Sequence, residues 1–382
     1  MRFLFLSQAV HIEDQPDFHV SFLKAIGADS YRNIPYKALY NTGGWDAVVK
    51  EVLSANEDFQ PNAIYFQFFH STGDSHPAKL LRTLKASSNH PLILGSIGDL
   101  FDTGFFARLG RPLPPSVIEL AVESDAFFTT SMGRTVDALV RYGAKNIVFV
   151  PNAYCPEHFP LVQGTEKEYD VLMLGSIPKF LSKHPIVSVP TAFRRRYVVR
   201  QLARAFGDKF AIFGKGWEMS SAHGPVPFKG QVDVFRRSRI VVDSPPRVAE
   251  TLYSSDRAYF IAGSGSSLVM PYTPKFEMLF KPDENAYFVY RLRDTAGICR
   301  KVLSLPSDVR AERERKTYDY IHSRNHIAQR VDTILSVVEA LQKHRDEGVR
   351  CEEALKSLRL WHFRPELSME MVMPHAVANW KG

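Results

Sequence analysis

Tyr169-Asp-Val-Leu-Met-Leu-Gly-Ser176 is a short apolar run closed by glycine and serine, with a polar stretch, Gln163 to Tyr169, leading into it. A run of this length reads as a buried strand, and Gly175 at its end lets the backbone turn close to a neighbour. Strand-like stretches recur downstream at Lys209 to Gly214, Ile240 to Ser244 and Ser267 to Met270. Between the opening run and the first of these lies Arg194 to Phe206, with Val198, Leu202 and Ala205 on one helical face and Arg196, Arg200 and Arg204 on the opposite one. The arginine stripe reads as a solvated helix face.

Upstream, Val150-Pro-Asn-Ala-Tyr-Cys-Pro-Glu-His-Phe-Pro160 breaks the pattern with three prolines. Before it the same alternation occurs once already. Arg2 to Ser7, Ala63 to Phe69, Pro91 to Gly95, Ala126 to Ser131 and Asn146 to Val150 read as strands. Trp45 to Ala55, Pro77 to Ala86, Ser116 to Glu123 and Met132 to Tyr142 have helical spacing between them. Strand and helix in turn predict an α/β class with largely parallel, doubly wound sheets. The expected organisation is two tandem Rossmann-like domains, residues 1–155 and 165–345, then a helical extension over 346–382 packing across both. The stripe Ile327, Val331, Ile334, Leu335, Val338 and Leu341 predicts a long helix packed on a domain.

Composition narrows the class. The chain has 382 residues, 45% hydrophobic and 23% charged, too apolar for a disordered protein. Three scattered cysteines, Cys155, Cys299 and Cys351, support neither a disulfide framework nor a clustered zinc site. Phe3-Leu4-Phe5-Leu6 turns polar too soon for a secretion signal, and no apolar stretch approaches the roughly 18 to 20 residues of a membrane span. A cytoplasmic protein is expected. The net charge is +7, but residues 179–239 hold 13 Lys and Arg against three acids, Asp208, Glu218 and Asp233. Such a segment suits phosphate, on a nucleotide donor or on a nucleic-acid backbone.

Three glycine-bearing turns stand at strand ends: Leu174-Gly175-Ser176, Phe213-Gly214-Lys215-Gly216-Trp217 and Ala262-Gly263-Ser264-Gly265-Ser266-Ser267. The second offers a cation and an aromatic between small residues, which suits a phosphate and a flat group beside it. None is a P-loop or a dinucleotide fingerprint, so a nicotinamide oxidoreductase is not indicated.

From Asn146 to Gly297 the sequence resembles the CgeB-like glycosyltransferases, a branch of the GT-B fold. The resemblance rests on Val150-Pro-Asn-Ala with Pro156-Glu157-His158-Phe159, on the strand Asp170 to Ser176, on Phe213 to Trp217, and on Ser255-Asp256-Arg257 continuing to Gly265, Pro274, Glu277 and Phe280. It implies two Rossmann-like domains facing across a cleft, with a nucleotide-diphosphate sugar as co-substrate and neither cofactor nor metal. Gly175, Ser176 and Gly265 would then face the donor, with Trp217 beside it. Lys215 and Arg257 would neutralise the diphosphate, and Glu277 would contact the sugar or ribose. Many relatives place a ribose-holding glutamate where Phe260 stands here.

An inverting enzyme needs a base at the strand ends of the first domain, where His11, Asp14, His19, His70, Asp74 and Asp99 are available; His11, Asp14, His70 and Asp99 are the leading candidates. The acceptor hydroxyl would belong to hydroxymethylated DNA reached through segment 179–239, or to a glycan, a protein or a small molecule. The competing class is a non-catalytic nucleotide or nucleic-acid binding module on the same scaffold.

Overall fold

The computed structural model describes residues 1–11, 17–67, 76–98, 113–159, 166–177, 185–245 and 250–348. The chain divides into two compact units: Met1–Pro151 joined by the closing helix from Ile327, and Asn152–His326.

The first unit contains strands β1 (Phe3–Ser7), β2 (Tyr31–Pro35), β3 (Ala63–Gln67), β4 (Leu92–Ile97), β5 (Ala126–Thr129) and β6 (Ile147–Phe149). They form one parallel sheet in the order β2-β1-β3-β4-β5-β6. Parallel neighbours need crossovers, supplied here by α1 (Asp17–Ile26), α2 (Tyr36–Phe59), α3 (Pro77–Lys85), α4 (Pro115–Glu123) and α5 (Arg134–Arg141). Helices on both faces explain the unbroken apolar character of Phe3-Leu4-Phe5-Leu6, all four without exposed surface.

The second unit repeats the architecture with β7 (Tyr169–Leu174), β8 (Phe210–Phe213), β9 (Ala222–His223), β10 (Ser238–Val242), β11 (Ser267–Pro271) and β12 (Tyr287–Val289). Its parallel sheet runs β12-β11-β10-β7-β8-β9. Counted from β7, that is the Rossmann order third, second, first, fourth, fifth, sixth, which reverses direction between β7 and β10. The helices are α6 (Pro185–Phe206), α7 (Gln231–Arg236), α8 (Asp256–Gly263), α9 (Thr295–Leu303) and α10 (Ser307–Arg324). Val171, Val198, Leu202, Ile240 and Cys299 form its buried centre.

The last helix, α11 (Ile327–Glu347), departs from the expected organisation. It carries the apolar stripe but packs on α1 and β4 of the first unit, rather than closing a domain that runs to residue 345. Ile334, Val337 and Val338 are fully buried, and so is Arg330, whose Nε donates to the Pro151 carbonyl at 3.0 Å. The expected extension beyond residue 348, with Trp361 and Trp380, lies outside the described residues. Ile334→Ala is expected to lower stability by about 2–5 kcal/mol, read as an earlier denaturant midpoint.

Candidate functional site

In an open parallel sheet the ligand crevice forms beyond the carboxyl ends of the strands, where the strand order reverses. In the second unit this point is flanked by Gly175-Ser176-Ile177 after β7 and Asp243-Ser244-Pro245 after β10. The turn after β8 is sewn onto the turn after β7. Gly175 N donates to the Phe213 carbonyl at 2.8 Å, and Ile177 N to that of Lys215 at 3.0 Å. Lys215 N donates to Ser176 Oγ at 3.0 Å, and the Trp217 indole Nε1 to the Gly175 carbonyl at 2.7 Å. Gly214 makes this possible: its φ is +142°, and a Cβ there would lie 2.6 Å from the Gly175 oxygen.

Across the crevice α6 contributes two guanidinium groups. Arg195 spans the reversal point, donating from Nη1 to Ser176 O at 2.7 Å and from Nη2 and Nε to Ser244 O at 3.0 and 3.3 Å. Arg194 Nη2 donates to Pro245 O at 2.8 Å. From the start of α8, Arg257 Nη1 stands 3.5 Å from Oδ1 of Asp243, a carboxylate with no exposed surface that also accepts from Ser255 Oγ at 3.1 Å. Burial pulls Arg195 down to about 10, the charge of Arg257 adds to this, and Asp243 opposes it. Burial likewise lowers Arg194, with Tyr253 and Asp243 opposing.

The cluster thus sets three guanidinium groups around one carboxylate. Three of the five N–H donors of Arg195 are committed to carbonyls, which leaves two for a ligand. Arg257 Nε and Ser244 Oγ are buried with no hydrogen-bond partner among the described residues. Buried polar atoms are rarely left so, and these two stand beside the strand-order reversal. The arrangement can hold a compact dianion such as a diphosphate.

The fold has clear counterparts among solved structures. HepE of Anabaena, in complex with UDP, superposes with a TM-score of 0.60 at 10% identity, covering 89% of this chain and 100% of that one. A trehalose-6-phosphate structure from E. coli bound with UDP-2-fluoro glucose gives 0.59 at 12% identity, covering 89% and 99%. Sucrose-phosphate synthase from Thermosynechococcus elongatus gives 0.59 at 11% identity, covering 89% and 100%. The fold is GT-B.

Within this GT-B chain, residues 194–336 match the family model described as glycosyl transferase-like. No curated protein matches the sequence. The matched span begins at Arg194, so it includes the whole guanidinium cluster.

Of the residues expected to meet a donor, the GT-B second unit brings Gly175, Ser176, Lys215, Trp217 and Arg257 to one edge of its sheet. Lys215 is exposed and Arg257 largely buried. Glu277 follows β11 at the same edge, its Oε2 buried without a hydrogen-bond partner. Beside it, the Tyr272 phenol is pushed up mainly by burial and further by Glu277.

Gly265 is placed elsewhere: it precedes β11, at the amino-terminal edge, where its carbonyl faces Lys167 Nζ at 3.5 Å. Its φ of +76° serves the turn from α8 into β11. Phe260 is interior, its ring centroid 4.6 Å from that of Phe159 and 5.6 Å from that of Phe228.

In the first unit, His11 is exposed just beyond β1, and His19 on α1 meets the Tyr31 hydroxyl at 3.0 Å through Nδ1. Asp14, His70, Asp74 and Asp99 lie outside the described residues. Sequence reasoning missed Arg194, Arg195, Asp243 and Ser244. One signal was available for Arg195: on the helical wheel it falls on the same side as Val198, Val199 and Leu202, where an arginine needs a buried partner.

Proposed function

We propose that this protein is a glycosyltransferase that draws a sugar from a nucleotide-sugar donor, with the donor diphosphate held at the β7/β10 crevice of the second unit. The observation that carries this reading is the Arg194, Arg195 and Arg257 cluster at the strand-order reversal, with Arg257 Nε and Ser244 Oγ buried and unpartnered among the described residues. When the bond between sugar and phosphate breaks, negative charge accumulates on the departing diphosphate. Guanidinium groups already fixed by backbone carbonyls can receive that charge without reorganising. Lys215 adds a mobile cation at the rim, and the chain's own charges thereby supply the stabilisation expected of a metal-independent transferase. The bare Cα of Gly175 leaves room beside Arg195, since a Cβ there would meet its guanidinium carbon at 3.4 Å. Trp217 offers a flat surface held at its indole nitrogen, and the free oxygen of Glu277 suits a sugar or ribose hydroxyl.

UDP and a UDP-sugar analogue, as bound in two of the GT-B relatives, are the natural first probes. In the first unit, His11 is our candidate for removing the acceptor proton if the configuration is inverted. Hydroxymethylated DNA and glycan, protein or small-molecule hydroxyls are the acceptor classes to compare, within or beyond the CgeB-like branch.

A thermal-shift series tests the donor assignment. UDP at a hundredfold excess over its dissociation constant is expected to stabilise the protein by about 2.7 kcal/mol. Slow release of nucleotide diphosphate from the matching nucleotide sugar should accompany it. No stabilisation by any nucleotide or nucleotide sugar would remove the reading. Binding with no release at all would leave a non-catalytic module in its place.

A further inference from the structure

The outward face of α6 carries more than charge. Taking 100° per residue, Phe193, Arg196, Tyr197, Arg200 and Arg204 fall within one 100° sector, opposite Val198, Val199 and Leu202. Phe193 is 59% exposed and Tyr197 47%, two of the few large aromatic side chains open to solvent among the described residues. Beside the stripe, α6 and α9 border an open groove of about 570 Å³ lined by Gln201, Arg204, Arg293, Arg300 and Lys301. Asp294 is the acid in it, 3.9 Å from Arg293. Among the described residues no ion pair engages Arg200, Arg204, Arg300 or Lys301.

We infer that this face binds a single-stranded nucleic acid, its phosphates following the arginines into the α6/α9 groove and its bases stacking on Phe193 and Tyr197. From Phe193 to Arg204 the stripe is about 16 Å long, at 1.5 Å per residue. That exceeds one small anion, and with the α6/α9 groove beside it the face suits the lower end of single-strand sites, about four nucleotides. Open rings interleaved with cations are what an unpaired strand requires, because the bases of a duplex are already stacked on each other. An anionic bilayer fits less well. The apolar face of α6 is already buried in the unit's core, its outward face exposes two rings, and four of the six cations line the groove beside the stripe. The inference does not rest on the transferase reading, and it is measured without turnover.

The test uses the full chain and a fluorescent 12-nucleotide single strand, followed by anisotropy at 50 and 200 mM salt. With about four phosphates neutralised, affinity should fall about 50-fold between the two conditions. Arg200→Ala with Arg204→Ala should flatten the salt slope by about 1.4. Phe193→Ala with Tyr197→Ala should weaken binding at least fivefold while leaving that slope unchanged. All four side chains are outside the core, and both double variants should melt as the parent does and keep the UDP-induced stabilisation. That control separates failure here from failure of the donor site. No binding at 50 mM salt, binding by both variants equal to the parent's, or capture by phosphatidylserine vesicles without any by the strand would overturn the inference.

Discussion

Arg195→Ala is expected to lower kcat/KM for donor cleavage by about 10² to 10³-fold, the usual loss when one fixed donor to a developing anion is removed. Two roles converge on this side chain. It joins the turn after β7 to the turn after β10 through Ser176 and Ser244, and it still has two N–H donors for phosphate. If it acts on the leaving group, the loss should fall mainly on kcat, with a smaller change in KM. Arg195→Lys should recover little, because a single ammonium cannot reach both carbonyls and a phosphate in the planar geometry of the guanidinium. Stability should be measured in parallel, since two carbonyls lose their partner. Arg200→Ala, on the outward face of the same helix, is the control and should cleave donor at the parent rate. Undiminished cleavage by Arg195→Ala would exclude the crevice as the donor site.

The second large effect concerns Gly214→Val. At φ +142° a β-branched residue is strained by about 1 to 3 kcal/mol. Its Cβ would also press on the Gly175 carbonyl, 2.6 Å from the oxygen and 2.7 Å from the carbon, where the obstacle is backbone and cannot rotate aside. Overpacking of this kind adds about 1 to 3 kcal/mol. Together they predict a fall in melting temperature of roughly 5 to 20 °C for a unit of this size. Loss of UDP binding should accompany it, because the turns after β7 and β8 can no longer meet. Gly297→Ala, where an added Cβ meets nothing within 4 Å and φ is ordinary, should be neutral or slightly stabilising. Equal melting of the two variants would contradict this account of the paired turns.

Much of the fold was legible because strands covered on both faces must be apolar throughout, as in Phe3 to Leu6 and Val171 to Leu174. The strands that the pattern does not mark, β2, β9 and β12, all lie at sheet edges. An edge strand has one hydrogen-bonded neighbour and can be short or half polar, as Tyr31-Arg-Asn-Ile-Pro35 and Ala222-His223 are. Periodicity also revealed α11 but not its partner, since a stripe records that a face is buried and not what buries it. At the site, the glycine turns were readable from their positions after strands. Arg195 was not, because its neighbours Arg196, Arg200 and Arg204 do point outward and the run was read as a single solvated face. Gly265 was misplaced for a related reason: a glycine-serine turn looks the same whether a strand ends or begins there.

The return of α11 to the first unit bears on how the chain is made. A ribosome delivers β1 to β6 early, yet α1 and β4 wait for Ile334, Val337 and Val338 until about 180 further residues have been synthesised. The inserted body, continuous from Asn152 to His326, can close first. During that interval the earlier sheet keeps an uncovered oily surface, so this is the window in which a chaperone would have most to shield.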